Sequence, residues 1–167
     1  MTETIRTAIG NASAYLGEHP DEARYTDSLA TARVEDGLRI RVDGPNGETL
    51  TTDMPGAVGG GDGAPSPGWF LRAAIAACVS SLAVMRAAQL GFEGFECEVE
   101  VDSESDDRGI LGLDDAVPGG PLSLRIGIRM SGAAPDRLEE VARWAVDHCP
   151  VSDAMKRAVP VKVELLE

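Results

Sequence analysis

The sequence predicts an α+β fold in which antiparallel sheets surround one long buried helix. Three observations carry this reading. Alternating apolar runs joined by tight-turn signals lie on both sides of a single long helix. That helix holds no charged residue from Ala73 to Met85. Strands and helices do not alternate as repeated βαβ units would require.

Residues 1–25 read as an N-terminal extension, and residues 26–167 as a single domain. The extension holds a short helix near Thr2 to Leu16, punctuated by Gly17 and Pro20. Ser28 to Val34 reads as a strand. Glu35-Asp36-Gly37 is a turn signal, and Leu38-Arg39-Ile40-Arg41-Val42 alternates strictly, so the two runs form a hairpin. Pro45-Asn46-Gly47 marks a second turn, and Glu48 to Asp53 a third strand. Residues 55–65 are dense in glycine but lack the Gly-Lys-Ser/Thr ending of a phosphate loop. They read as a mobile loop suited to lining a pocket.

Ser66-Pro67 starts the long helix: serine at the cap, proline at the first helical position. It runs to about Leu90 and stops at Gly91. A helix apolar nearly all round is expected to be buried. Phe95 to Ser103 and Leu122 to Met130 alternate as strands, separated by a loop rich in Asp, Gly and Pro at 106–120. Ala134-Pro135-Asp136 opens a helix to about Asp147, with Leu138, Val141, Ala142 and Ala145 at helical spacing. A short helix follows from Val151 to Arg157, and Val159 to Leu166 reads as a last strand.

Composition narrows the function. The 167 residues include 28 acidic and 15 basic side chains, a net charge of −13. Such a chain lacks the basic face of a nucleic-acid-binding domain, and its acidity serves solubility. No run of about 18 apolar residues offers a membrane span. The polar start, Met1-Thr2-Glu3-Thr4, lacks the apolar centre of a signal peptide. The expectation is a cytoplasmic protein with no membrane and no nucleic-acid partner. Three cysteines and two histidines, His19 and His148, show no CxxC and no zinc-ligand spacing. No metal and no cofactor is expected.

The cysteines carry the candidate chemistry. Pro150 suits the first position of a helix, which puts Cys149 at its N-cap, where unpaired N–H groups favour a thiolate. Cys78 lies mid-helix in the apolar stretch, where burial without a cation raises a thiol pKa. Spacing alone therefore favours Cys149 as the more acidic thiol. Cys97, between Glu96 and Glu98, reads as structural.

Two segments resemble a known family. Ser66-Pro67-Gly68-Trp69-Phe70-Leu71-Arg72-Ala73-Ala74-Ile75-Ala76-Ala77-Cys78 is similar to the long-helix signature of the OsmC/Ohr family, the osmotically inducible and organic hydroperoxide resistance proteins. His148-Cys149-Pro150-Val151-Ser152 resembles that family's second, Cys-Pro-x-Ser motif. Asp107-Arg108-Gly109-Ile110-Leu111-Gly112 fits one branch of the family. The resemblance implies an OsmC-like fold and an intertwined homodimer. It implies that Cys78 attacks an organic hydroperoxide and becomes a sulfenic acid. Cys149 then resolves it as a disulfide, which a dithiol reductant reopens. Trp69, Arg72 and His148 are the expected pocket residues. Peroxidase members carry a Glu directly after the helix Pro, orienting an Arg that activates the attacking thiol. This chain has Gly68 there, and the window around Asp27 and Ser28 holds no Arg. Arg24, Arg33 and Arg72 are the candidate substitutes, and Arg72, six residues before Cys78, sits about 120° away around the helix. The leading expectation is a thiol-dependent peroxidase. The alternative is a non-catalytic member of the fold that binds a small apolar ligand.

Overall fold

The computed structural model describes residues 2–166. Its secondary structure follows the sequence pattern closely, and it packs as two compact units, residues 10–73 and residues 74–166 with 2–9. It is mixed α and β, with antiparallel sheets and a long helix.

In the first unit, β1 (Thr31–Asp36), β2 (Arg39–Asp43) and β3 (Thr49–Thr52) form a three-stranded antiparallel sheet in sequential order. The first turn needs glycine at Gly37, where φ is +54°. A register shift between Val34 and Asp36 bulges β1 beside this turn. The strand predicted from Ser28 begins three residues later, at Thr31.

The N-terminal helix α1 (Thr2–Glu18) runs through Gly17 to Glu18. The long helix α2 (Pro67–Gln89) starts as its residues dictate, with the Trp69 N–H donating to Ser66 Oγ at 3.3 Å. It ends before Gly91, at φ +75°. Its charged residues are Arg72 and Arg86. By length and composition it is apolar enough to cross a membrane, a test that the core helix of a soluble protein also passes. Burial of α2 is narrower than the expected all-round cover. Ile75, Val79, Ala83 and Ala87, each four residues from the next, form one buried stripe with Ala88 beside it.

In the second unit, β4 (Glu96–Glu104) and β5 (Ser123–Ser131) form a nine-rung antiparallel ribbon. Period-two alternation sorts its faces. Cys97 opposes Met130, Val99 opposes Ile128 and Val101 opposes Ile126 on the apolar face. On the other face Arg129 pairs with Glu98 and Arg125 with Asp102. The loop between the strands contains a one-turn helix, α3 (Asp107–Ile110), capped by the Asp106 carboxylate, which accepts the Arg108 N–H. Two helices follow, α4 (Pro135–Asp147) and α5 (Pro150–Lys156). Val141 and Ala145 of α4 join the α2 stripe and Cys149 in the core. Arg86 ties α2 to α4 by its 2.6 Å pair with Glu140 and by its position over the Trp144 ring.

One predicted element is absent. Residues 159–166 form no strand; Val161, Val163, Leu165 and Leu166 lie at least 84 % exposed. Their alternating pattern is that of a strand, but no neighbouring strand pairs with them among the described residues.

Candidate functional site

Cys149 is the second residue of the two-residue joint, His148-Cys149, between α4 and α5. Proline at 150 pre-sets the first helical φ and lacks an N–H, so the first donor groups of α5 come from Val151 and Ser152. Cys149 holds an extended backbone, and its sulfur accepts the Ser152 N–H at 3.4 Å. The side chain is fully buried.

Cys78 stands three residues after Ile75 and one before Val79. That places it at the edge of the buried stripe, about 60° from Ile75 around the helix. Its half-buried state follows from that edge position. The fold brings the Cys78 and Cys149 side chains near enough for each to influence the other's ionisation.

Their electrostatics are unequal. Burial, then the hydrogen bond to Cys149 and the charge on that sulfur, push the Cys78 thiol up to about 11, against a lowering contribution from the Val151 N–H. Burial also opposes ionisation of Cys149. Hydrogen bonds from Cys78, the Ser152 side chain and the Ser152 and Val151 N–H groups outweigh it and hold that thiol below its ordinary value. In the state with one thiolate, the charge rests on Cys149 and the Cys78 S–H donates to it. Cys97 is also raised, by burial rather than by the neighbouring acids weighed in the sequence.

His148 caps α4 and is exposed. Its ring stacks on Trp144 with centroids 4.3 Å apart, and its Nδ1–H donates to the Trp144 carbonyl at 2.9 Å. Because a carbonyl only accepts, the proton belongs on Nδ1, leaving Nε2 as the acceptor of the neutral ring.

Trp69 and Arg72 lie in the other unit, in an open cleft of about 360 Å³. Met54, Pro55, Asp62 and Pro65 complete much of its wall. The glycine-rich segment read as mobile is tied down here. The buried Asp53 carboxylate accepts N–H groups from Met54, Gly61 and Gly63 at 2.8–3.2 Å. The Gly63 and Gly61 bonds lead in holding Asp53 below the usual carboxylate range. Gly60 allows the close return of the loop, since a Cβ there would lie 1.8 Å from the Met54 carbonyl oxygen. At Gly68 a Cβ would make ordinary van der Waals contact, 3.8 Å from Arg72 Nη1 and 3.9 Å from Ser66 Oγ.

Sequence reasoning missed Asp53 and Ser152. An acid directly before a glycine-rich run was the available signal for the first. The second was visible only as part of the Cys-Pro-x-Ser motif. Among the described residues no cluster of three or more His, Cys, Asp or Glu side chains is arranged to hold a metal.

Comparisons with known proteins agree on the fold. The chain is similar to an OsmC-like protein from Mycoplasma pneumoniae, at 14 % identity and TM-score 0.67, covering 81 % of this chain and 91 % of that one. It is similar to an organic hydroperoxide resistance protein OsmC from Legionella pneumophila, at 22 % identity and TM-score 0.54, covering 80 % and 91 %. It is similar to the organic hydroperoxide resistance protein OhrB of Bacillus subtilis, at 24 % identity and TM-score 0.50, covering 84 % and 98 %. No curated protein matches. The family model for OsmC-like proteins matches residues 59–164, which include both Cys78 and Cys149, and the chain belongs to that family.

Proposed function

We propose that this protein reduces organic hydroperoxides with a cysteine pair, Cys78 and Cys149, that cycles between dithiol and disulfide. The nearness of the two thiols, with Cys78 pushed up and Cys149 held down, carries the reading. The names of the Legionella and Bacillus structures as organic hydroperoxide resistance proteins support the substrate class.

Cys78 is the attacking sulfur, because it is the more exposed of the two. Its high pKa leaves little free thiolate near neutral pH, and no Glu at position 68 is present to orient an activating Arg. The Cys149 thiolate fills that need as the base. It takes the Cys78 proton as Cys78 attacks the outer peroxide oxygen. The O–O bond breaks, the alkoxide leaves, and Cys78 becomes a sulfenic acid. Cys149 then attacks the Cys78 sulfur, the S–O bond breaks, and the proton held on Cys149 departs with the oxygen as water. A small dithiol reductant reopens the disulfide.

The working form is a homodimer in this reading, with residues 26–167 as its folding unit. The exposed alternating segment at 159–166 and two small sheets support it, since a two-stranded ribbon is marginal alone. Turnover of cumene hydroperoxide with a dithiol reductant tests the proposal. The expected result is consumption that falls to background in Cys78→Ser and in Cys149→Ser. Equal turnover in either variant and the wild type sinks it.

A second reading has its own observation. Trp69, about half exposed at 48 %, forms part of a cleft with Met54, Pro55 and Pro65. A protein that binds a small apolar ligand without catalysis would use such a wall. Quenching of Trp69 fluorescence by a hydrocarbon ligand, with no hydroperoxide turnover, would favour it.

A further inference from the structure

Cys78, Leu82 and Arg86 follow one another at four-residue spacing along α2, so Cys78 and Arg86 stand about 12 Å apart on that helix. The same spacing recurs on α4. Val141 and Ala145 lead to the buried Cys149. In the row beside them, Glu140 and Trp144 lead to His148. Arg86 grips this second row. Its Nη2 donates to Glu140 Oε1 at 2.6 Å, and its guanidinium lies 5.5 Å from the centre of the Trp144 ring. Trp144 in turn stacks on His148, the residue bonded to Cys149.

α2 and α4 are therefore tied at two places of matched separation. Arg86 meets Glu140 and Trp144 at one, and Cys78 lies near Cys149 at the other. Glu140 to His148 spans about 12 Å, the distance from Arg86 to Cys78. One tie alone leaves a helix free to pivot, whereas two fix its angle and register. The grip is not built for stability alone, since Arg86 Nε is buried with no hydrogen-bond partner among the described residues. Nor does the Arg86 charge act on the sulfurs: burial, hydrogen bonds and the neighbouring thiol govern both. We infer that Arg86 is a positioning residue, holding α4 so that the Cys149 sulfur stays within reach of the Cys78 sulfur when their disulfide forms. This inference rests on the reading of the two cysteines as a redox pair.

Diamide tests it without a peroxide. Its N=N bond is reduced as two thiols give up their hydrogens and join. Loss of the first thiol and closure of the Cys78–Cys149 disulfide are followed well below the melting temperature. Arg86→Met keeps the apolar stem and removes the fork. Closure should slow roughly ten- to a hundred-fold, the cost of an ångström-scale misplacement, while loss of the first thiol keeps its rate. Glu140→Gln keeps the size of the acid and should slow closure less, and it carries the test if Arg86→Met does not fold. Arg86→Lys keeps the charge without the planar fork and should recover part of the rate. Arg143→Met, which removes an exposed pair with Glu139, should match the wild type. Wild-type closure in both Arg86→Met and Glu140→Gln overturns the inference. Equal slowing in Arg143→Met also overturns it, by showing a general effect of charge on α4. A wild type that closes no disulfide with diamide removes the redox pair and this inference together. Closure with diamide but none with cumene hydroperoxide removes only the peroxidase reading, and slowed variants then still support the role of Arg86.

Discussion

The Cys78 and Cys149 sulfurs lie near enough to shift each other's ionisation, Cys78 upward and Cys149 downward. The pair predicts two separated thiol titrations. One thiolate forms below the ordinary cysteine range and the second near pH 11. Ultraviolet thiolate absorbance reads both. Cys149→Ser removes a neutral-form hydrogen bond and a nearby negative charge, so the Cys78 pKa should fall from about 11. Cys78→Ser replaces the thiol donor with a weaker acid, so the Cys149 titration should move up. The sign for stability follows from linkage. Cys78 is raised above its unfolded value, so its contribution is full below about pH 9 and is lost as pH rises toward 11.

Ile75 anchors the stripe on which Cys78 stands and is fully buried. Ile75→Ala should cost about 2–5 kcal/mol by lost burial and a residual cavity. Thermal unfolding followed by circular dichroism checks this. The same variant should loosen the Cys78–Cys149 pair and narrow the gap between the two thiol titrations.

The loop at 55–65 should be held by two features that act separately. Gly60→Ala places a methyl against the Met54 carbonyl, and backbone must move to accommodate it. Asp53→Ala removes the acceptor of three N–H groups. Both variants should lower the melting temperature and speed proteolytic cutting within 55–65. A cutting rate equal to wild type in both would contradict the assignment of Asp53 as the loop's organiser.

Residues 159–166 should matter to assembly more than to the fold of one chain. Replacing Val161 and Val163, each 84 % exposed, by Ser should convert the proposed dimer to monomer at micromolar concentration in analytical ultracentrifugation. An unchanged sedimentation coefficient would place the interface elsewhere.

Local signals made most elements legible. Ser66-Pro67 and Gly91 bracket α2, Pro135 opens α4, and period-two runs mark β2, β4 and β5. The cap position of Cys149 was legible for the same reason, since Pro150 announces a helix start. Its pairing with Cys78 was legible only through the family resemblance, because 71 positions of chain separate them. The failed strand at 159–166 shows the opposite case: alternation states what a segment could pair as, but pairing needs a partner edge. Asp53 and Ser152 stayed hidden because their roles depend on how the folded loop and the start of α5 aim their N–H groups. The cover of α2 was overread, since composition does not reveal which stripe meets a neighbour.

The most direct test of the cysteine pair is the intact mass of the reduced protein after one equivalent of cumene hydroperoxide. The account predicts rapid loss of two hydrogens in the wild type, with a Cys78–Cys149 disulfide found after digestion, while Cys149→Ser, which lacks the base, forms no disulfide and gains one oxygen only slowly. An unchanged mass, with both thiols still reduced, would contradict it.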